Sequence, residues 1–280
     1  MKLFKRIYYP VMAGLMVLML VLGFVDAHVG VSGKVDGLLL DSAYSYADGI
    51  AKVGTHNSYA GQNQDSVRGY ITDELTAKYG DGYLSNLVSN AADDTDDDGN
   101  NVAEYFTDYS GNPVATLYVQ RATVKQVSQK GGDSEVVVGL EANNVVLAIP
   151  GKKADAVLMH VRYDSSALGG ASDATAVGAL LSTAVQELKN FSDGKTHQNT
   201  LLFLFSDAGQ EGDLGAAAFI NQFAGFFVGD TKIVGVENIM AVADYKVSGT
   251  SGTIMTYANN GGSLNLMGKY SRIKIGRAHV

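Results

Sequence analysis

An α/β fold is what the sequence predicts, and two observations in one stretch predict it. Between Asp155 and Gln222 two apolar runs of strand length, Ala156–Val161 and Leu201–Phe205, each end in a polar loop. Each loop then opens a helix built of small residues, so the stretch reads as a βαβα unit. Polar residues therefore collect at the carboxyl ends of two strands, where open α/β sheets place their sites.

The chain is long enough for a substantial core, with 280 residues of which 46% are hydrophobic and 18% charged. Its net charge is −8 and no basic block follows the first six residues, which argues against a nucleic-acid partner. There is no cysteine, so disulfides and thiolate metal sites are excluded, and any metal must use His and carboxylates.

Residues 1–27 carry Lys2, Lys5 and Arg6 ahead of an uncharged run of 19 residues, Ile7–Val25. At 1.5 Å per residue such a helix nearly spans a bilayer core of about 30 Å. The positive flank predicts a membrane anchor with a cytoplasmic amino terminus and an extracytoplasmic domain over residues 28–273. A cleaved secretory signal is the rival reading, with Val25-Asp26-Ala27 as its cleavage site.

Asp41–Tyr79 reads as two helices around a polar loop. In the second, Val67, Tyr70, Ile71, Leu75 and Tyr79 keep helical spacing, Asp65-Ser66 is the expected cap and Gly80 the stop. His56 lies in the intervening loop, where solvation is the plain expectation and a site role the alternative. Ala92–Asn101 is acidic, and Asp94, Asp96, Asp98 and Gly99 match the first half of a calcium loop. Its twelfth position is Tyr105, with Glu104 one residue short, so a solvated insertion loop competes with calcium binding. From Val114 to Ile149 β-branched residues dominate, with Gly131-Gly132 as a turn. Pro150-Gly151 closes the strand over 144–149 and predicts a hairpin into the next strand.

The motifs over Asn144–Gln222 resemble those of the co-catalytic di-zinc aminopeptidase family (metallopeptidase clan MH), which also contains glutaminyl cyclases and nicastrin. The bacterial membrane-anchored branch is the nearest in pattern. The resemblance implies a three-layer, phosphorylase/hydrolase-like mixed sheet flanked by helices. It also implies two zinc ions held by His and carboxylates, with a Glu as general base on the metal-bound water. Residue by residue the match is partial. At the first motif, His-x-Asp, Asp164 stands at the supporting Asp, but Arg162 occupies the His position, and a guanidinium has no lone pair for zinc. His160, two residues upstream on the same strand face, is a substitute ligand or a satisfied strand histidine.

Gly170-Ala171-Ser172-Asp173 places Asp173 as the bridging carboxylate, and a helix N-cap is its plain alternative. Gly212 and Gly215 set the register of the third motif, which puts Gly209 at the general base and Gln210 at a ligand Glu. A one-residue slide would make Glu211 the carboxylate but breaks the glycine spacing. Asp244 is the fourth ligand, after the next strand, and the distal His has no counterpart. Residues 274–280 read as a translated sequencing adapter, which places the missing His and any further membrane spans beyond Ile273 in the authentic chain. The expected function is a membrane-anchored, zinc-peptidase-like ectodomain that is catalytically degenerate and binds peptide amino termini or a partner protein. A divergent zinc aminopeptidase is the alternative.

Overall fold

The computed structural model describes Met12 and residues 37–57, 61–77, 95–131, 134–165 and 171–245. The chain divides into a unit of residues 37–249 and a second made of residues 1–36 with 250–280, of which only Met12 is described. The anchor, the terminal residues 274–280, Asp94 and Gly170 thus lie outside the described residues, Met12 apart. Among the described residues no helix is long and apolar enough to cross a membrane.

Apolar spacing explains the first two helices. Tyr46 and Ile50 on α1 (Gly37–Ala51), and Val67, Ile71 and Leu75 on α2 (Gly61–Ala77), recur every fourth residue and are buried. The expected cap of α2 is corrected, because the helix begins at Gly61. Asp65 is therefore interior and pairs with Arg68 at 2.9 Å, while the Ser66 hydroxyl donates to Gln62 O at 2.9 Å.

Strand β1 (Asn101–Glu104) precedes a long antiparallel pair, β2 (Thr116–Gly131) and β3 (Ser134–Ile149). Then come β4 (Lys153–Arg162), α3 (Ala171–Ser192), β5 (Asn199–Ser206) and α4 (Leu214–Gln222). Strands β6 (Phe223–Val228), β7 (Thr231–Val234) and β8 (Ile239–Asp244) complete the described elements. The main sheet is mixed, in the order β2-β3-β5-β4-β8, with β5, β4 and β8 parallel. The predicted β3–β4 hairpin is a second correction: β5 lies between these strands and pairs with both. Past Pro150 the chain turns under the start of β5, where Gly151 N–H donates to Thr200 Oγ1 at 3.2 Å and Lys153 N–H to Gln198 O at 2.9 Å.

Both faces of this sheet are covered, so its central strands read as continuous apolar runs. Val145, Leu147, Val161, Phe203 and Phe205 pack with α1, α2 and α3 on one face. Val146, Ala148, Leu158, Leu202 and Leu204 meet Phe219 of α4, with Phe223 and Phe226 of β6, on the other. That second layer is thus one short helix plus a three-stranded sheet, β1-β6-β7. The result is an α/β fold with a mixed sheet between two outer layers, and it aligns the carboxyl ends of β4, β5 and β8.

Candidate functional site at the strand ends

Period-two alternation brings the polar residues together. On β4, His160 and Arg162 face one side, and the register pairs Arg162 with Ser206 and His160 with Asp244. His160 Nδ1 lies 2.9 Å from Asp244 Oδ1, and Nε2 lies 2.7 Å from Ser206 Oγ. A carboxylate only accepts, so Nδ1 carries a proton, while Nε2 shares a hydrogen bond with the serine hydroxyl. Both ring nitrogens of His160 are thereby spent, and Asp244 is turned to the histidine. Ser206 is fully buried, which leaves it no approach as a nucleophile.

Arg162 reaches instead toward α3. Its Nη2 is 3.4 Å from Asp173 Oδ1, and Asp173 sits in the first turn of α3. Asp173 is therefore neutralised by a protein cation, and it acts as a first-turn residue rather than the cap, since α3 already begins at Ala171. The stem of Arg162 fills the space over Gly209. A Cβ there would stand 2.6 Å from Arg162 Cδ and 2.8 Å from Asp164 Oδ1. Position 209 thus has no room for a side chain unless Arg162 and Asp164 shift.

Asp164 holds the same loop from below. Its two carboxylate oxygens accept Gly209 N–H and Gln210 N–H, each at 2.8 Å. Burial raises its pKa, against the pull of those amides and of Arg162. The Gln210 side chain is exposed and Glu211 half-buried.

Behind this loop lies a buried polar network that sequence reasoning missed. Asp207 accepts from Asn143 N–H at 2.9 Å, from Ala208 N–H at 2.6 Å and from Gln64 Nε2. Asn144 Nδ2 donates to Gln120 Oε1 and to Gly215 O, both at 2.8 Å, while its Oδ1 accepts Asp207 N–H at 3.0 Å. Gln120 and Asn144 are register partners on β2 and β3, so one cross-strand pair pins the start of α4. No local pattern marks such residues. Only the strand register, which pairs Gln120 with Asn144, could have found them.

Burial pushes Asp207 up to about 6 from 3.8, and the nearby Asp164 charge adds to it. The sign follows directly. A carboxyl whose folded pKa lies above its unfolded value burdens the ionised fold, so the penalty is absent below about pH 4, grows from 4 to 6, and is complete above. The gap corresponds to about 3 kcal/mol. Asp207→Asn is expected to remove this limb: the difference in unfolding free energy between the two proteins changes between pH 4 and 6 and is flat above 7. A difference that stays constant from pH 4 to 8 contradicts the assignment.

The loop is also conformationally strained. Ala208 has φ +50° and Asp213 φ +58°, both left-handed, with Gly212 at +98°. The left-handed region costs a non-glycine residue roughly 1–2 kcal/mol. Ala208→Gly is therefore expected to hold or raise stability by up to about 1 kcal/mol, read from the denaturation midpoint; a loss above about 1 kcal/mol refutes the strain.

His56, expected to be solvated, is fully buried. It bridges Ser165 through paired backbone hydrogen bonds of 3.0 and 2.8 Å, and its Nδ1–H donates to Gly54 O at 2.6 Å. Backbone pairing draws the α1–α2 loop inward and braces the residue after Asp164.

These side chains do not fit zinc. Among the described residues no three His, Asp or Glu side chains are grouped to hold a metal ion. His160 has both ring nitrogens engaged, Asp164 serves two amides, and the fixed positive charge of Arg162 beside Asp173 opposes a metal ion there. The calcium reading also gains no support. Asp96 accepts from Asp98 N–H at 3.1 Å and from Asn100 N–H at 2.8 Å, which closes a self-contained turn, and Asp98 is exposed. Asp108 repeats this turn through Ser110 N–H and Asn112 N–H, both at 2.8 Å. The shared Asp-x-x-Gly-Asn sequence, visible at 96–100 and 108–112, is thus a turn motif.

No protein-family profile matches the chain, and no curated protein is detectably similar. Among solved structures, similarity extends to a Zn-dependent exopeptidase from Bacteroides vulgatus, with 19% identity, TM-score 0.37, and 64% of this chain and 52% of that one covered. A glutaminyl cyclase from Macrostomum lignano matches at 11% identity and TM-score 0.45 over 82% and 59% of the two chains. Another from Fimbriiglobus ruber matches at 14% and 0.37 over 60% and 44%. The chain spans about half the length of these structures. None of these likenesses assigns a role to a residue of this chain.

Proposed function

We propose that this protein is a membrane-anchored, extracytoplasmic, peptidase-like domain that binds a peptide or a partner protein without cleaving it. One observation carries the reading. Arg162 stands at the position of the first metal-binding His in the resembling motif, paired with Asp173, and its stem fills the space a base at Gly209 would need. Asp164, Asp173 and Asp244 each already have a protein donor, so the charges at these strand ends are met from within the protein. Loss of a general base alone typically lowers a rate by about 10²–10⁴. The membrane anchor rests on the charge and apolar pattern of residues 1–27.

Hydrolysis of an aminoacyl anilide by the full chain with added zinc tests the catalytic half of the reading. No turnover above buffer is expected. Zinc-dependent turnover that disappears in Asp173→Ala would establish the divergent aminopeptidase instead.

A further inference from the structure

We infer that the cavity at the amino ends of β4 and β5 binds a small apolar carboxylic acid, whose carboxylate meets Lys152 and Lys153. This cavity lies at the other end of the strands from His160 and Arg162, and it is independent of the peptide reading. Its volume is about 630 Å³, inside the roughly 300–1,000 Å³ of small-ligand pockets. The connection between β1 and β2, the turn after β3 and the last turn of α3 line it.

Two of the chain's three prolines, Pro113 and Pro150, form walls of the cavity. Proline has a fixed φ and no N–H to satisfy, so these walls are apolar and preformed. Leu188 and Phe191 of α3 add hydrocarbon and aromatic surface, with Leu188 buried and Phe191 half-buried.

The charges select the ligand class. Lys152 and Lys153 line the cavity with one carboxylate, that of Asp108, so two cations against one anion leave a net charge of +1. Asp108 already accepts Ser110 N–H and Asn112 N–H, both at 2.8 Å, and the Asn112 side-chain amide at 3.0 Å. Among the described residues neither lysine forms an ion pair. Their backbone N–H groups are fixed on His197 O at 3.0 Å and Gln198 O at 2.9 Å, so the stems are anchored and the ammonium groups left for a ligand. The Thr200 hydroxyl is spent on Gly151 N–H and Lys153 O. A net charge of +1 matches a monoanion, whereas a dianionic phosphate would keep an unmatched charge beside Asp108. The last turn of α3 presents the negative end of the helix dipole. The carboxylate therefore sits with the lysines, and the apolar body lies against Leu188 and Phe191.

The full chain is titrated by calorimetry, with NMR to locate the site, using phenylbutyrate, its carboxamide, acetate and phenyl phosphate. Phenylbutyrate is expected to bind at least about 10-fold tighter than its carboxamide, which lacks the charge, and than acetate, which lacks the apolar body. Ligand-induced shifts are expected at Ala154, Leu188 and Phe191. Replacing both lysines, Lys152→Gln with Lys153→Gln, is expected to abolish the discrimination between acid and carboxamide. Lys152→Arg with Lys153→Arg, which keeps both charges, is expected to retain it. The inference is overturned if acid and carboxamide bind alike, if phenyl phosphate binds best, or if the discrimination survives the glutamine pair. Shifts confined to other parts of the chain, or no saturable binding of phenylbutyrate, overturn it as well. Thermal melts of each variant confirm that lost binding is not lost folding.

Discussion

Gly215→Ala is expected to cost about 3 kcal/mol of stability, measured by denaturant unfolding. A Cβ at this position would lie 2.1 Å from Asp207 O and 2.6 Å from Asn144 Oδ1. Neither atom is free to retreat. Asn144 Oδ1 accepts Asp207 N–H at 3.0 Å, and the same amide donates to Gln120 and to Gly215 O at 2.8 Å. Moving it would open several buried hydrogen bonds at once, each costly to leave unmade. A loss below about 0.5 kcal/mol would show that the α4 start is looser than this network allows.

The second large effect is at Gly209. Gly209→Ala is expected to cost about 2 kcal/mol, and Gly209→Glu more, because Cβ would meet Arg162 Cδ at 2.6 Å and Arg162 Cβ at 2.7 Å. Arg162→Ala removes Cδ, the nearer of these two stem atoms, and lets the strand end adjust. In that background the Gly209→Ala penalty is expected to fall by about 1 kcal/mol, a coupling typical of residues in contact. Additive effects would mean that Arg162 and Gly209 are independent substitutions. Coupled effects would mean that the arginine and the missing side chain are one packing solution.

Much of the fold was legible because its central strands are buried on both faces. Ala156–Val161 and Leu201–Phe205 announce themselves as apolar runs, and β4 and β5 contain them. Strand order was not legible. The β3–β4 turn at Pro150-Gly151 looks like a hairpin locally, and only the long-range pairing of β5 with both strands overrides it. The small sheet on the far face was missed for a related reason. Phe223–Val228 follows α4 with only Asn221-Gln222 between the two apolar runs and no Gly or Pro at the junction, so the local signal that separates helix from strand is weak.

For the site, Gly212 and Gly215 fixed the loop register in the sequence, and Gly215 is where a backbone carbonyl approaches closely. The identities of Arg162, Gly209 and Gln210 then suffice to question zinc chemistry. What they could not show is where the arginine goes. Its contact with Asp173 depends on how α3 folds back over the end of β4, and the chain Asp244–His160–Ser206 depends on register between strands far apart in the chain. The burial of His56 depends likewise on one backbone bridge across more than a hundred residues.

Metal content tests the central claim most directly. The full chain, purified with zinc present and then exchanged into metal-free buffer, is measured by elemental analysis beside Asp173→Ala. The Arg162–Asp173 pair predicts far less than one zinc per chain, unchanged by the substitution. Two zinc ions per chain, lost in Asp173→Ala, would show that the carboxylate serves a metal and that the account of this site is wrong.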